Sequence, residues 1–167
     1  AASSQTLVLL ATATASASST LDFTSVITSS YNHYKLVFSD LLHGSTATIN
    51  IKFSTDNGGT WTQVMYTQKG QIITGGSAVP TLTNVNGASP GLITTSNVTT
   101  KWTGFADMAI SASGGVCWVS FLTADGNSAI DRTWINLGAV GVNAVQFLPS
   151  TGTFTSGKIY MYGVKNT

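Results

Sequence analysis

The sequence predicts an all-β fold, a two-sheet antiparallel sandwich of about ten short strands. Helical periodicity is hard to find anywhere, whereas period-two alternation and β-branched or aromatic runs recur between turn clusters. Charged side chains are scarce, at 8% of 167 residues against a usual share of about 25%. With 43% hydrophobic residues and a mean hydropathy of +0.23, the chain has the material for a sizeable core. Its surface must then be covered largely by Ser, Thr, Asn, Gln and Gly. One domain of this length buries roughly 70% of its unfolded surface, and low charge combined with positive hydropathy excludes disorder.

The strands are expected at residues 6–11, 21–27, 34–39, 46–54, 61–67, 101–111, 116–123, 129–137, 143–148 and 158–164. Residues 7–10 read as a first strand and not as a secretory leader, because no basic residues precede them. No apolar run approaches the roughly 20 residues of a membrane span, so the expectation is a soluble chain without membrane insertion. Alternation turns Ala47, Ile49, Ile51 and Phe53 inward and Thr48, Asn50, Lys52 and Ser54 outward, as it opposes Leu36 and Phe38 to Lys35 and Ser39. Trp102 aligns with Met108 and Ile110, and Trp118 with Leu122, as core positions.

Two outward sets stand apart. Trp134 shares a face with Arg132 and Asn136, and Tyr160 and Tyr162 share one with Lys158. Exposed aromatics usually mark contact sites, so Trp134, Arg132, Tyr160 and Tyr162 are the candidate interface or ligand contacts. Residues 68–100 are rich in Gly, Ser, Thr and Asn, contain Pro80 and Pro90, and show little sustained alternation. They are expected as a long loop excursion from a single domain spanning 1–167, with short strands at 71–74 and around Leu92. Long loops are often functional, which makes this one the candidate for partner contact.

The sharpest local pattern is Ser54-Thr55-Asp56-Asn57-Gly58-Gly59-Thr60-Trp61. Asp-Asn-Gly-Gly supplies residues that tolerate positive φ, so the expectation is a hairpin whose structural turn is built by Ser54, Asp56, Gly58, Thr60 and Trp61. This octet is similar to the Asp-box, which sialidases repeat around a propeller as a structural hairpin remote from the catalytic site. The resemblance implies that Asp56 accepts hydrogen bonds from loop amides while Trp61 packs beneath the turn. A sialidase site also needs several arginines and a Tyr–Glu pair; this chain has Arg132 alone and no glutamate. Asp125-Gly126-Asn127 is a second turn of the same chemistry.

Other chemistries find few residues to carry them, and no enzyme activity or cofactor is expected. Formal net charge is +1 and the seven basic residues are scattered, without a run that could follow a phosphate backbone, so nucleic acid is not an expected partner. The single Cys117 lies in apolar surroundings and reads as a buried thiol, since one cysteine cannot form an intramolecular disulfide. Of six aspartates, Asp56 and Asp125 belong to turns and Asp22, Asp40 and Asp107 fall in or beside strands with no mutual motif, which argues against paired-carboxylate hydrolysis. There is no Gly-x-Ser-x-Gly elbow. His33 and His43 flank a strand and read as surface or interface residues; with Cys117 they are too few for zinc. Oxygens at Asp56-Asn57 or Asp125-Gly126-Asn127 could meet calcium, yet neither forms an EF-hand loop, and the plain turn reading is preferred. Asn97-Val98-Thr99 is a glycosylation sequon that carries meaning only in a eukaryotic secreted protein.

Three blocks together resemble small β-sandwich virion proteins of tailed bacteriophages. The first is Ala13-Ser16-Ala17-Ser18-Ser19 leading into Leu21-Asp22-Phe23 and then Tyr34-Lys35-Leu36-Val37-Phe38-Ser39. The second is the turn at 54–61. The third is Val142-Asn143-Ala144-Val145-Gln146-Phe147, continuing through Ser150-Thr151-Gly152 and Ser156-Gly157 to Tyr160-Met161-Tyr162-Gly163-Val164. The resemblance implies a jelly-roll-like, non-enzymatic structural protein on the virion surface. It implies a homo-oligomer, often a trimer, that contacts other virion subunits. Capsid decoration or cement is the favoured role, because the chain lacks the heptads or collagen repeat of a fibre shaft. The alternative is a tail-fibre or tail-tip module that recognises a receptor, with a host surface glycan as its ligand.

Overall fold

The computed structural model describes residues 5–62, 67–74, 81–85, 91–93, 100–110, 116–125 and 129–166. Among them are twelve strands: β1 (Gln5–Thr14), β2 (Leu21–Phe23), β3 (His33–His43), β4 (Ile49–Ser54), β5 (Thr67–Thr74), β6 (Thr81–Val85), β7 (Gly91–Leu92), β8 (Trp102–Ala109), β9 (Val116–Asp125), β10 (Ala129–Ala139), β11 (Ala144–Pro149) and β12 (Phe154–Asn166). They form an eight-stranded sheet in the order β1-β12-β3-β8-β9-β10-β5-β6 and a four-stranded sheet in the order β2-β11-β4-β7. All pairings are antiparallel. Chain neighbours mostly alternate between the sheets, as β1 to β4 do, and this is what makes the sandwich jelly-roll-like. No helix of the described residues is long and apolar enough to cross a membrane.

The sheets meet through the inward half of each alternation. From the large sheet come Tyr34, Leu36, Phe38, Trp102, Met108, Val119, Phe121, Ile159 and Met161; from the small one Leu21, Phe23, Ile49, Ile51, Phe53, Val145 and Phe147, all buried. Phe147 bridges the layers, its ring edge-on to Phe38 at 5.5 Å and to Phe23 at 6.1 Å. Burying side chains of this size contributes roughly 1.5–3 kcal/mol each. Cys117 is fully buried beside this core and donates to Val140 O at 3.1 Å.

Several expectations are corrected. Residues 68–100 are not one loop: the short strands expected at 71–74 and around Leu92 are present within β5 and β7, β5 and β6 extend the large sheet beyond β10, and β7 borders β4. Their low alternation misled because a hairpin at a sheet border is held by the backbone ladder, which polar and small residues satisfy as well as apolar ones. Apart from Ile93 and Thr100, the remainder of that segment, with Pro80, Pro90 and the sequon, lies outside the described residues. The predicted strand at 61–67 fails at its start, since Trp61 and Thr62 are not in a strand. The strand at 21–27 ends at Phe23, although Ile27 is still buried.

Trp118 is not core. Cys117, Val119 and Phe121 take the inward parity, leaving Trp118 40% exposed on the outer face. Asn50 and Ser54 are buried despite their outward register, Asn50 because its strand is central in the small sheet and Ser54 because the next turn folds over it. His43 is buried as well, its Nδ1 hydrogen-bonded to the carbonyl of Ser45.

Candidate binding face

The octet at 54–61 builds a corner and not a hairpin. Before it, β4 pairs with β11 and β7 in the small sheet; after it, β5 pairs with β10 and β6 in the large one. Asp56 organises the corner. Its Oδ1 accepts from Ser54 Oγ at 2.6 Å and from Thr60 N at 2.8 Å, and its Oδ2 accepts from Thr60 Oγ1 at 2.9 Å. The Ser54 hydroxyl, foremost, and then the Thr60 amide and hydroxyl hold the Asp56 carboxyl below the usual carboxylate range. Ser54 Oγ also accepts from Gly58 N at 2.9 Å. Gly58 has φ of 90°, and a Cβ there would stand 3.1 Å from the Trp61 ring, so the tryptophan packs directly against the turn. Asn143 ties in β11, accepting from Asn57 N at 2.7 Å and donating to Thr55 O at 3.0 Å. The side chains of Ser54, Asp56, Asn57 and Thr60 are thus occupied in holding the corner.

The outer face of the large sheet is different. All seven exposed large apolar side chains among the described residues point from it: Leu7, Leu9, Phe105, Val116, Trp118, Ile130 and Trp134. Their placement follows from register. Leu9 opposes Tyr162, which opposes Lys35, then Asp107, Ser120 and Trp134. A second row runs Thr12, Tyr160, Val37, Phe105, Leu122 and Arg132. All four candidate contacts thus lie on one face, but not in one cluster. Arg132 and Trp134 share β10, while Tyr160 and Tyr162 lie on β12, four strands away and half-buried by their neighbours.

Charge is sparse on this face and is set over rings. Lys35 Nζ lies 4.9 Å from the Phe105 ring centre and 3.5 Å from Asp107 Oδ1. Both partners of that ion pair are more than a third exposed, so solvent screening limits it to about 1 kcal/mol or less. The Arg132 guanidinium lies 5.8 Å from the Trp134 ring centre. Between the two cations runs an open groove of about 630 Å³. Val37, Thr103, the Gly104 backbone, Phe105, Leu122 and Ile130 line it between those cations. Gly104 is required by close approach, because a Cβ would fall 2.3 Å from Leu122 O. The sequence reading missed Lys35, Phe105 and Leu122 as site residues. The strand of Leu122 offered no clear signal, since Ser120 on the outward parity is matched by Thr123 on the inward one.

Among the described residues no three His, Cys, Asp or Glu side chains come together as a metal site. Asp22 stands on the small sheet and Asp107 on the large one.

No family model matches the chain, and no curated protein matches it. Among solved structures it is similar to the legume lectin-like domain from Entamoeba histolytica, at 4% identity and TM-score 0.29, covering 95% of this chain and 81% of that one. It is similar also to the endo-β-1,3-glucanase from Pyrococcus furiosus, at 8% identity and TM-score 0.28, covering 89% and 67%. Likenesses this weak carry no functional weight.

Proposed function

We propose that this chain is a non-enzymatic assembly module that binds copies of itself and other subunits through the outer face of its large sheet, as a capsid decoration protein of a tailed bacteriophage. One observation carries the reading: the large apolar side chains left exposed among the described residues all emerge from that single face. Exposed apolar surface concentrated in this way marks interaction sites. A low-charge sheet bordered by the uncharged β1 also invites association, and closed assembly removes that hazard. The phage setting rests on the resemblance of the three sequence blocks.

Light scattering on the purified chain and on a Leu7→Ser, Leu9→Ser, Trp118→Ser variant tests this. The wild type is expected to form a discrete oligomer and to co-sediment with phage heads, and the variant to stay monomeric and folded. A wild type that remains monomeric and leaves the heads bare removes the reading.

A second reading is a glycan-recognition module. What favours it is Trp134, 38% exposed, with Arg132 beside its ring on the same strand. Binding on a glycan array that Trp134→Ala abolishes, with the oligomeric state unchanged, would support this reading over decoration.

A further inference from the structure

The groove between Lys35 and Arg132 lies on the face of the assembly reading and shares Phe105 and Ile130 with it, but it does not involve Leu7, Leu9 or Trp118, so the two are tested apart. We infer that it is a binding site for a small ring-bearing monocarboxylate, with the apolar ring over Leu122 and Gly104 and the carboxylate on Arg132.

Size and lining fix the body of the ligand. At about 630 Å³ the groove falls within the roughly 300–1,000 Å³ typical of small-molecule sites. Its lining offers aliphatic side chains, bare backbone and the Phe105 ring. Such a surface gains from desolvating a flat apolar group and offers few partners to a hydroxyl-rich one. At Gly104 β8 and β9 approach so closely that a Cβ would also stand 2.7 Å from Thr123 Cα, which keeps bare backbone at this point of the lining.

Charge fixes the other end. Arg132 is the only arginine in the sequence, and no carboxylate pairs with it among the described side chains. Its guanidinium is held beside Trp134, which orders the fork and leaves its N–H groups to a planar anion. Lys35 at the opposite end is already opposed by Asp107, so a second negative group there would meet like charge. The strands of Lys35 and Arg132 are three steps apart, roughly 14 Å at about 4.8 Å per step. A single carboxylate at the Arg132 end with an apolar body between the cations is therefore the occupant that matches both charge and shape.

The probe is naphthalene-2-carboxylate, compared with the isosteric neutral naphthalene-2-carboxamide by calorimetric titration of the intact chain. The carboxylate is expected to bind about tenfold more tightly than the amide, as a charge-assisted contact to guanidinium provides. Arg132→Gln should erase that gap and leave the amide's affinity unchanged, which also shows that the groove is intact. Ala124→Phe, filling the groove from its exposed side, should abolish binding of both. On the wild type alone, raising salt from about 20 mM to about 500 mM should weaken the carboxylate and not the amide. No binding of either compound at millimolar concentration, equal affinities, a gap that persists in Arg132→Gln, or binding that survives Ala124→Phe would each overturn the proposal.

Discussion

Asn57 and Ser25, far apart in sequence, close on each other reciprocally: Ser25 N donates to Asn57 Oδ1 at 2.6 Å and Asn57 Nδ2 donates to Ser25 Oγ at 2.8 Å. Both residues have positive φ, 58° and 60°. The pair fastens the corner between the sheets to the connection from β2 to β3. Asn57→Gly keeps the backbone angle and loses the two bonds, whereas Asn57→Ala loses them and also retains a Cβ in the left-handed region without the polar side chain that offsets its cost. Urea denaturation should therefore rank wild type above Asn57→Gly above Asn57→Ala, with about 1–2 kcal/mol between the two variants. Equal stability of the variants would show that the angle carries no strain.

Acid should loosen the same corner. Asp56 has its pKa depressed by hydrogen bonds from Ser54 and Thr60, so its contribution is present above the unfolded carboxylate value of about 4 and is lost as pH falls through the lower folded value. Asp56→Asn is expected to melt below the wild type at pH 7, and the difference should shrink towards zero in strong acid. A difference independent of pH would detach the effect from the carboxylate.

Tyr34 makes the converse prediction at alkaline pH. Its buried hydroxyl accepts from Thr28 N at 2.9 Å and faces the carbonyls of Thr28 at 2.9 Å and Tyr31 at 3.1 Å, while burial raises its pKa. Tyr34→Phe keeps the ring and should cost about 1–3 kcal/mol at pH 7 by stranding those groups. The raised value means that stability is present below about pH 10 and is lost as pH rises through the folded pKa. The gap between wild type and Tyr34→Phe should accordingly narrow above that pH, measured as the difference in urea midpoint.

Two tryptophans separate core from face. Trp102 is almost wholly buried, and Trp102→Ala should cost about 3–5 kcal/mol. Trp118 lies on the outer face with the His33 ring edge-on at 6.4 Å, and Trp118→Ala should stay within about 1 kcal/mol. Comparable losses at both sites would mean that Trp118 packs as a core residue.

That contrast shows what the residues disclosed. Where one parity is apolar and the other polar, as along β3 and β4, strand and face could both be read: Leu36, Phe38, Ile49, Ile51 and Phe53 are all buried. Along β9 both parities are apolar from Val116 to Val119 and each then carries a polar residue, Ser120 on one and Thr123 on the other, so alternation does not tell its two faces apart. Polar β5 and β6 gave no alternation, because their place comes from pairing with β10 and with each other. The octet at 54–61 disclosed its internal hydrogen bonds but not its partners, since whether a turn joins neighbours or crosses between layers depends on pairings made elsewhere in the chain. The groove was illegible for the same reason: Lys35, Phe105, Leu122 and Arg132 come from four strands and meet only through register.

The position of β12 has a consequence for how the molecule comes into being. It follows every other strand in the chain, yet it lies between β1 and β3 and is the only partner of β1 among the described strands. On a ribosome making roughly 5–20 residues per second, β1 would wait on the order of ten seconds or more for that partner, with its backbone N–H and C=O groups unpaired. The large sheet can close only after synthesis has passed residue 166, in a late step dominated by contacts distant in sequence, and such steps are slow. For this chain the hazardous interval is birth, before the sandwich exists.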